Sequence, residues 1–237
     1  MVAFIKKVPK YSLRTSFDRF KIRAFARRYI NGFHKLYYYS ASSTWGNTYW
    51  LGTSAQKCPL DLWVYQEIIW ETKPEIIIET GTAEGGSALF FASICDLLGK
   101  GKVITIDIID CAIPPNPRIT KITGNSVSNK VVKKVKKFVG KKSAMVVLDS
   151  AHEKPHVLRE MELYSKFVSV GNYLVVEDTN IGGHPVSPGG NGPMEAVEEF
   201  LRNRKDFEVD RTREKFLLTF NPKGFLRRIK PQTCQKG

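Results

Sequence analysis

From Ser16 to Tyr39 the apolar residues Phe17, Phe20, Ala24, Ile30, Phe33 and Tyr37 recur at intervals of three and four, while Arg19, Arg23, Arg27 and Lys35 fall largely between them. That spacing predicts an amphipathic helix. After a polar stretch, Pro59-Leu60-Asp61 opens a second helical segment with Leu62, Tyr65, Ile68 and Ile69 on one face, ending near Thr72 ahead of Pro74. Short apolar runs then alternate with helical ones. Strands are expected at Ile76–Glu79, Val103–Asp107, Ile119–Thr123, Ala144–Asp149 and Tyr173–Glu177, and helices at Gly85–Leu98, Ser126–Val139 and Lys154–Phe167. The strand runs are mostly continuous and β-branched, as strands covered on both faces are. This alternation implies an α/β fold with a doubly wound, mostly parallel sheet. A loop rich in Gly and Pro, Gly182–Pro193, leads to a helix around Met194–Arg202. Phe207–Arg211 and Phe216–Phe220 have no helix between them and read as a closing antiparallel hairpin, giving seven strands.

With 237 residues, 42% hydrophobic and 11% aromatic, the chain can bury a sizeable core, which excludes a disordered tail or a disulfide-stapled mini-protein. Cys58, Cys95, Cys111 and Cys234 lack CxxC spacing, so neither a zinc ribbon nor a disulfide framework is indicated and a reducing compartment fits. No run is long enough for a membrane span, and the start has no secretory signal, so a cytoplasmic protein is expected. The net charge of +14 suggests a nucleic acid or an anionic membrane until it is located along the chain. Residues 1–60 carry +10 and 99–142 carry +9, but 61–98 and 143–200 each carry −6. The two acidic segments hold the strand ends, which would repel a polyanion. The Lys-rich helix (Lys130, Lys133, Lys134, Lys136, Lys137) therefore reads as a solvated face, and no nucleic-acid partner is expected. Residues 1–44 form a basic amphipathic extension, and residues 45–237 form the main domain. Two roles stay open for the extension: peripheral membrane contact, or packing of a homo-oligomer.

The segment from Glu79 to Ser87 joins the first strand to its helix, where open α/β sheets bind ligands. The dinucleotide pattern G-x-G-x-x-G is not met, because Ala83 takes the second glycine's place. Glu79 ending the strand, with Gly81 two residues on, is instead similar to the first motif of class I S-adenosylmethionine-dependent methyltransferases. That similarity makes Glu79, Gly81, Thr82, Gly85 and Ser87 the candidate cofactor contacts, with a glycine turn used only for packing as the alternative. Asp107, twenty-eight residues beyond Glu79, can accept from both hydroxyls of a ribose; Asp110 competes for the role. Asn125 and Ser126 stand where adenine contacts are expected, or serve as a helix cap.

Two further strand ends carry Asp149 and Glu177-Asp178. In a doubly wound sheet these ends lie side by side, and three close carboxylates repel unless a hard divalent cation such as Mg²⁺ sits among them. Helix capping or pairing with Lys and Arg is the alternative. Glu177 and Asp178 can share an ion only if the strand has turned into loop by that point. Asp149 is also a candidate cofactor contact and a candidate base. His152-Glu153-Lys154-Pro155-His156 matches the metalloprotease pattern letter by letter, yet Pro155 in a helix interior would cost about 3 kcal/mol. Pro155 is expected in the first turn of a helix. His152 remains a candidate general base or a surface histidine, and His184 a candidate substrate contact in a loop suited to a lid.

The string Trp50-Leu51-Gly52, Pro59-Leu60-Asp61-Leu62-Trp63-Val64-Tyr65-Gln66-Glu67, then IIIETGTAEGGSALFFA, VVLDSAH and YLVVEDTNIGGHP with GPMEAVEEFL, resembles the cephalosporin hydroxylase and rhamnosyl O-methyltransferase family over roughly Trp45 to Phe220. The resemblance implies a class I methyltransferase fold, S-adenosylmethionine, and a Mg²⁺ site at Asp149, Glu177 and Asp178. It also implies O-methyl transfer to a small-molecule acceptor, a sugar or other polyhydroxylated natural product. A hydroxylase is the second enzymatic reading, but a non-haem iron triad takes two histidines and a carboxylate, and none of the four histidines forms an H-x-D/E pair. A basic nucleic-acid or membrane-surface module is the third.

Overall fold

The computed structural model describes residues 16–187 and 189–231, and the side chains from Phe25 onward. Phe17, Phe20, Arg19, Arg23, Ala24 and Cys234, invoked above, lie outside the described side chains. The long helix α1 spans Ser16–Tyr39. A two-stranded ribbon follows, β1 (Tyr49–Trp50) against β2 (Thr53–Ser54), and then α2 (Pro59–Thr72), with its proline in the first turn. The main alternation runs β3 (Ile76–Thr80), α3 (Gly86–Leu97), β4 (Lys102–Asp107), β5 (Ile119–Thr123), α4 (Asn129–Val139), β6 (Ala144–Leu148), α5 (Lys154–Tyr164), β7 (Tyr173–Val176) and α6 (Pro193–Asn203). It closes with β8 (Phe207–Val209) and β9 (Phe225–Arg228).

The seven strands form one sheet in the order β5-β4-β3-β6-β7-β9-β8. The first five are parallel, and β9 runs antiparallel between β7 and β8. The doubly wound, mostly parallel sheet expected from the alternation is therefore present. After β3 the chain moves outward through β4 and β5, then crosses back to lay β6 against the other side of β3. That reversal opens a crevice at the carboxyl ends of β3 and β6.

Alternate residues of each strand feed opposite layers, as the two-residue period requires. Ile76, Ile78, Ile104, Ile106, Val146, Leu148 and Val176 pack with α4, α5 and α6. Ile77, Val103, Met145, Val147, Tyr173 and Val175 pack with α2 and α3. In α4 the valines 131, 132, 135 and 139 are buried, and its five lysines lie on the outward side.

The closing hairpin is shifted from its expected position. Phe216–Phe220 is not a strand; β9 lies beyond it, at Phe225–Arg228. Two interactions hold the earlier segment away from the sheet. Buried Asp61 in the first turn of α2 accepts from Thr219 Oγ1 at 2.6 Å and from Phe220 N at 2.9 Å. Phe220 is also enclosed by Tyr37, Tyr38 and Trp45 and stacks on His34, with centroids 5.6 Å apart. Thus α1 docks through His34, Tyr37 and Tyr38, while Phe33, expected on its apolar face, is 57% exposed.

His34 Nε2 accepts from Asn180 Nδ2 at 2.9 Å in this buried position. Burial lowers its pKa to about 4, from an ordinary 6.5. The unfolded chain therefore takes up a proton before the folded one does, so stability falls as the pH drops from 6.5 towards 4. Denaturant unfolding across pH 4 to 7.5 should show wild type losing stability relative to His34→Gln by up to about 1.4 kcal/mol per pH unit within that window. Parallel profiles would refute this account of how α1 docks.

Candidate active site

The β3–α3 turn follows a strand that ends in two fully buried residues, Glu79 and Thr80. Glu79 accepts from Thr105 Oγ1 at 2.7 Å and from Ser87. Burial pushes its carboxyl up to about 7, against the pull of Lys57 and these hydroxyls. Its Oε1 has no hydrogen-bond partner and is enclosed, the whole side chain being 0% exposed. Gly81 has φ +88°, and a Cβ there would stand 1.9 Å from the carbonyl oxygen of Asp149. Only glycine lets the β3 loop pass the β6 loop this closely. The Thr82 hydroxyl turns inward to Thr105 at 2.7 Å, and Gly85 precedes α3 at φ +85°. Of these five expected cofactor contacts, Gly81 reaches the cavity wall, whereas Thr82 and Ser87 brace Glu79 from within.

A cavity of about 310 Å³ opens over the ends of β3, β4 and β5, lined by Gly81, Asp107, Asn125, Ser126, Ser150 and His156 among others. Asp107 Oδ2 accepts from Thr82 N at 2.8 Å and Ala83 N at 3.1 Å, and Oδ1 from Ile109 N at 2.9 Å. Against the cost of partial burial, these backbone donors hold its pKa below the ordinary value. It stays ionised, with lone pairs facing the cavity. The competing Asp110 is engaged elsewhere, 2.7 Å from Lys121 Nζ. Asn125 Oδ1 accepts from Val127 N at 2.9 Å, and the α4 cap is Ser128 rather than Ser126. Ser126 Oγ lies 3.3 Å from His156 Nε2.

Beside this cavity, the loops after β6 and β7 bring together one ligand atom each from Asp149, His152 and Asp178, all within 4.8 Å of one another. His152 Nε2 is 3.6 Å from Asp178 Oδ2. The strand β7 ends at Val176, and Asp178 adopts a left-handed φ of +54°. The chain has therefore turned into loop by Glu177, the condition for both acids to reach one place. Their side chains nevertheless part. Glu177 is 6% exposed and faces inward: Oε2 is 2.7 Å from Lys57 Nζ, and Oε1 accepts from the Tyr65 hydroxyl at 2.8 Å. Lys57 also ion-pairs with Asp149. Burial works against the charge on Lys57, but Asp149 and Glu177 outweigh it and raise its pKa. Burial raises the pKa of Glu177, with Lys57 opposing, and burial together with Asp149 raises that of Asp178. Two carboxylates at such separations suit a hard divalent cation, with His152 beside them, and the group holds one histidine rather than the two of an iron triad.

Pro155 lies in the first turn of α5, so the two histidines around it do not share a mid-helix face. His156 turns to the cavity and His152 to the carboxylates. His184 is not among that group: its Nε2 lies 2.8 Å from Glu195 Oε1, while Glu195 Oε2 accepts from Gly192 N at 2.8 Å. This clamp ties both ends of the 182–193 loop to α6. Sequence reasoning missed Lys57, Tyr65, Ser150 and His156. For His156 a signal existed in the second histidine of the HExxH string; a lone lysine ahead of Pro59 carries none.

The family profile described as Rhamnosyl O-methyltransferase/CmcI matches residues 42–229. The rhamnosyl O-methyltransferases of Mycobacterium tuberculosis and Mycobacterium leprae are each 39% identical to this chain, over 204 and 203 residues. Those spans are 82% of this chain and 82% and 88% of the two relatives. A solved CmcI structure with Mg and SAM has a TM-score of 0.61 at 22% identity, covering 78% of either chain. A likeness at that identity bears on the fold, and it is the fold built above. Profile and sequence identity together carry the assignment: the chain belongs to the rhamnosyl O-methyltransferase/CmcI family.

Proposed function

We propose that the protein is an S-adenosylmethionine-dependent, divalent-metal-assisted O-methyltransferase acting on a hydroxyl of a sugar or glycoside. The observation that carries this reading is the shared loop after β6. Ser150 lines the cavity beside Asp107, and Asp149 and His152 on either side of it meet Asp178. Cofactor and acceptor hydroxyl are thereby brought to adjacent places. Family membership with curated rhamnosyl O-methyltransferases supports the same reaction and a rhamnose-like acceptor.

Asp107 accepts from the ribose hydroxyls, the Gly81 turn, braced from behind by buried Glu79, borders the cofactor's amino-acid end, and Asn125 and Ser126 face its base. Asp149 and Asp178 would hold the cation, and Glu177, set back from the mouth, is paired with Lys57. When bound, the cation supplies a lower pKa and a fixed orientation for the acceptor hydroxyl, and S-adenosylmethionine supplies an electrophilic methyl group. His152 Nε2, at the mouth of the site, takes the acceptor proton. The His184–Glu195 clamp keeps the 182–193 loop folded over α6, beside the mouth.

The outer face of α1 bears on where the acceptor resides. At 100° per residue, Phe25, Tyr29, Phe33 and Leu36 form one stripe opposite His34 and Tyr38, and each is more than half exposed. Exposed Arg28 and Lys35 flank the stripe. Self-packing of so basic a helix would oppose like charges, whereas an anionic lipid surface matches both its apolar and its positive elements. Among the described residues no helix is long and apolar enough to cross a membrane. We read α1 as a peripheral membrane contact beside the acceptor entrance.

Calorimetry should give S-adenosylmethionine binding in the micromolar range, weakened about tenfold to a hundredfold in Asp107→Ala; no binding at millimolar cofactor would sink the proposal. With a rhamnoside acceptor and labelled cofactor, Asp178→Asn and His152→Gln should each lower kcat by about a hundredfold or more while cofactor affinity holds. Unchanged turnover in both would remove the metal and base assignments. Vesicles containing phosphatidylglycerol should sediment the protein at low salt. Combined Phe25→Ser, Phe33→Ser and Leu36→Ser should release it. Absence of vesicle binding, with an oligomer that this variant dissociates, would reassign the stripe to self-association.

A further inference from the structure

Lys57 stands at the junction of β2 and α2, and its side chain is 5% exposed. Its position is fixed locally: its backbone N–H donates to Thr48 Oγ1 at 3.1 Å, and its carbonyl accepts from the same hydroxyl at 3.3 Å. From there Nζ reaches under the strand ends to pair with Asp149 and, at 2.7 Å, with Glu177. Tyr65, on the inner face of α2, caps the other oxygen of Glu177 at 2.8 Å. A buried ammonium persists only when paired. Pairing with Glu177 alone would satisfy that need, so the second pair, to a carboxylate facing the mouth, calls for a separate reason.

Charge supplies it. Asp149, Glu177 and Asp178 bring three negative charges into a water-poor volume. One divalent ion leaves one of them uncompensated, and two ions would overcompensate them. We propose that Lys57 is a positioning residue that holds Asp149 and Glu177 in place before any divalent ion binds. Together with a single such ion, it neutralises the three carboxylates. The inference rests on the metal site proposed above. It assigns Lys57 no contact with acceptor or methyl group. It also accounts for the separation of neighbouring acids: Lys57 draws Glu177 inward, and Asp178 is left at the mouth.

The test uses the full chain and Mg²⁺ itself, with thermal unfolding and metal titration as readouts. Lys57→Met should lower Tm in EDTA by more than about 5 °C, and excess Mg²⁺ should recover most of that loss. In a variant that folds, Mg²⁺ affinity should rise by about tenfold, because a nearby like charge has been removed. Adding Glu177→Gln to Lys57→Met should restore Tm in EDTA, and Lys57→Arg should keep the wild-type response. If the Lys57→Met loss is equal with and without Mg²⁺ and Glu177→Gln does not relieve it, Lys57 serves packing alone and the proposal is overturned. If Lys57→Met does not fold, the double variant decides: folding supports charge compensation, and failure to fold overturns it. A wild type insensitive to Mg²⁺ would instead overturn the metal reading, leaving the Glu177→Gln relief to judge Lys57 independently.

Discussion

Parallel strands that end at one edge of a sheet deliver their last side chains to the same small volume, and here β6 and β7 deliver three carboxylates. Coulomb repulsion among them, sharpened by burial, is the constraint to which the surrounding structure responds. The start of α2 supplies that response. Lys57 just ahead of it reaches two of the acids, Tyr65 caps the more buried one, and Asp61 in its first turn holds the Thr219 hydroxyl and the Phe220 N–H. The helix is a cover for one face of the sheet and also the frame on which the acidic cluster is mounted.

The topological switch between β3 and β6 adds a second constraint. Gly81 lies against the backbone of Asp149 and Ser150, so the loop that borders the cavity and the loop that presents the acids touch at that point. A side chain at position 81 would push the two loops apart. For a reaction that needs a methyl carbon and an oxygen in line, such close contact of the two half-sites serves positioning, which carries much of the rate in transfers between bound partners.

Much of this was legible in the sequence because the relevant signals are local. Continuous β-branched runs reported buried parallel strands, Asp107, Asp149 and Asp178 at or just past strand ends marked one edge of the sheet, and Pro155 spoke against the metalloprotease reading of its string. The shifted β9 was not legible. Phe216–Phe220 carries a fair strand pattern, but Asp61, far away in sequence, captures it through two hydrogen bonds. Lys57 was hidden for the same reason. Its partners lie 92 and 120 residues away, and no periodicity encodes an ion pair across such a span. The apolar face of α1 was misjudged at Phe33 because two opposed faces are both aromatic, and only the docking of His34, Tyr37 and Tyr38 distinguishes them.

The contact of α1 with Phe220 joins two segments that lie far apart along the chain. Trp45 gives Tyr38 an early neighbour, but until the chain reaches Phe220 the surface on which His34, Tyr37 and Tyr38 rest is incomplete, and the edge of the sheet beyond β7 is bare until β9 follows. A helix with aromatic groups on both sides is therefore left partly uncovered until that distant segment has been made. Non-local closure of this kind slows folding and leaves nascent chains open to misassociation.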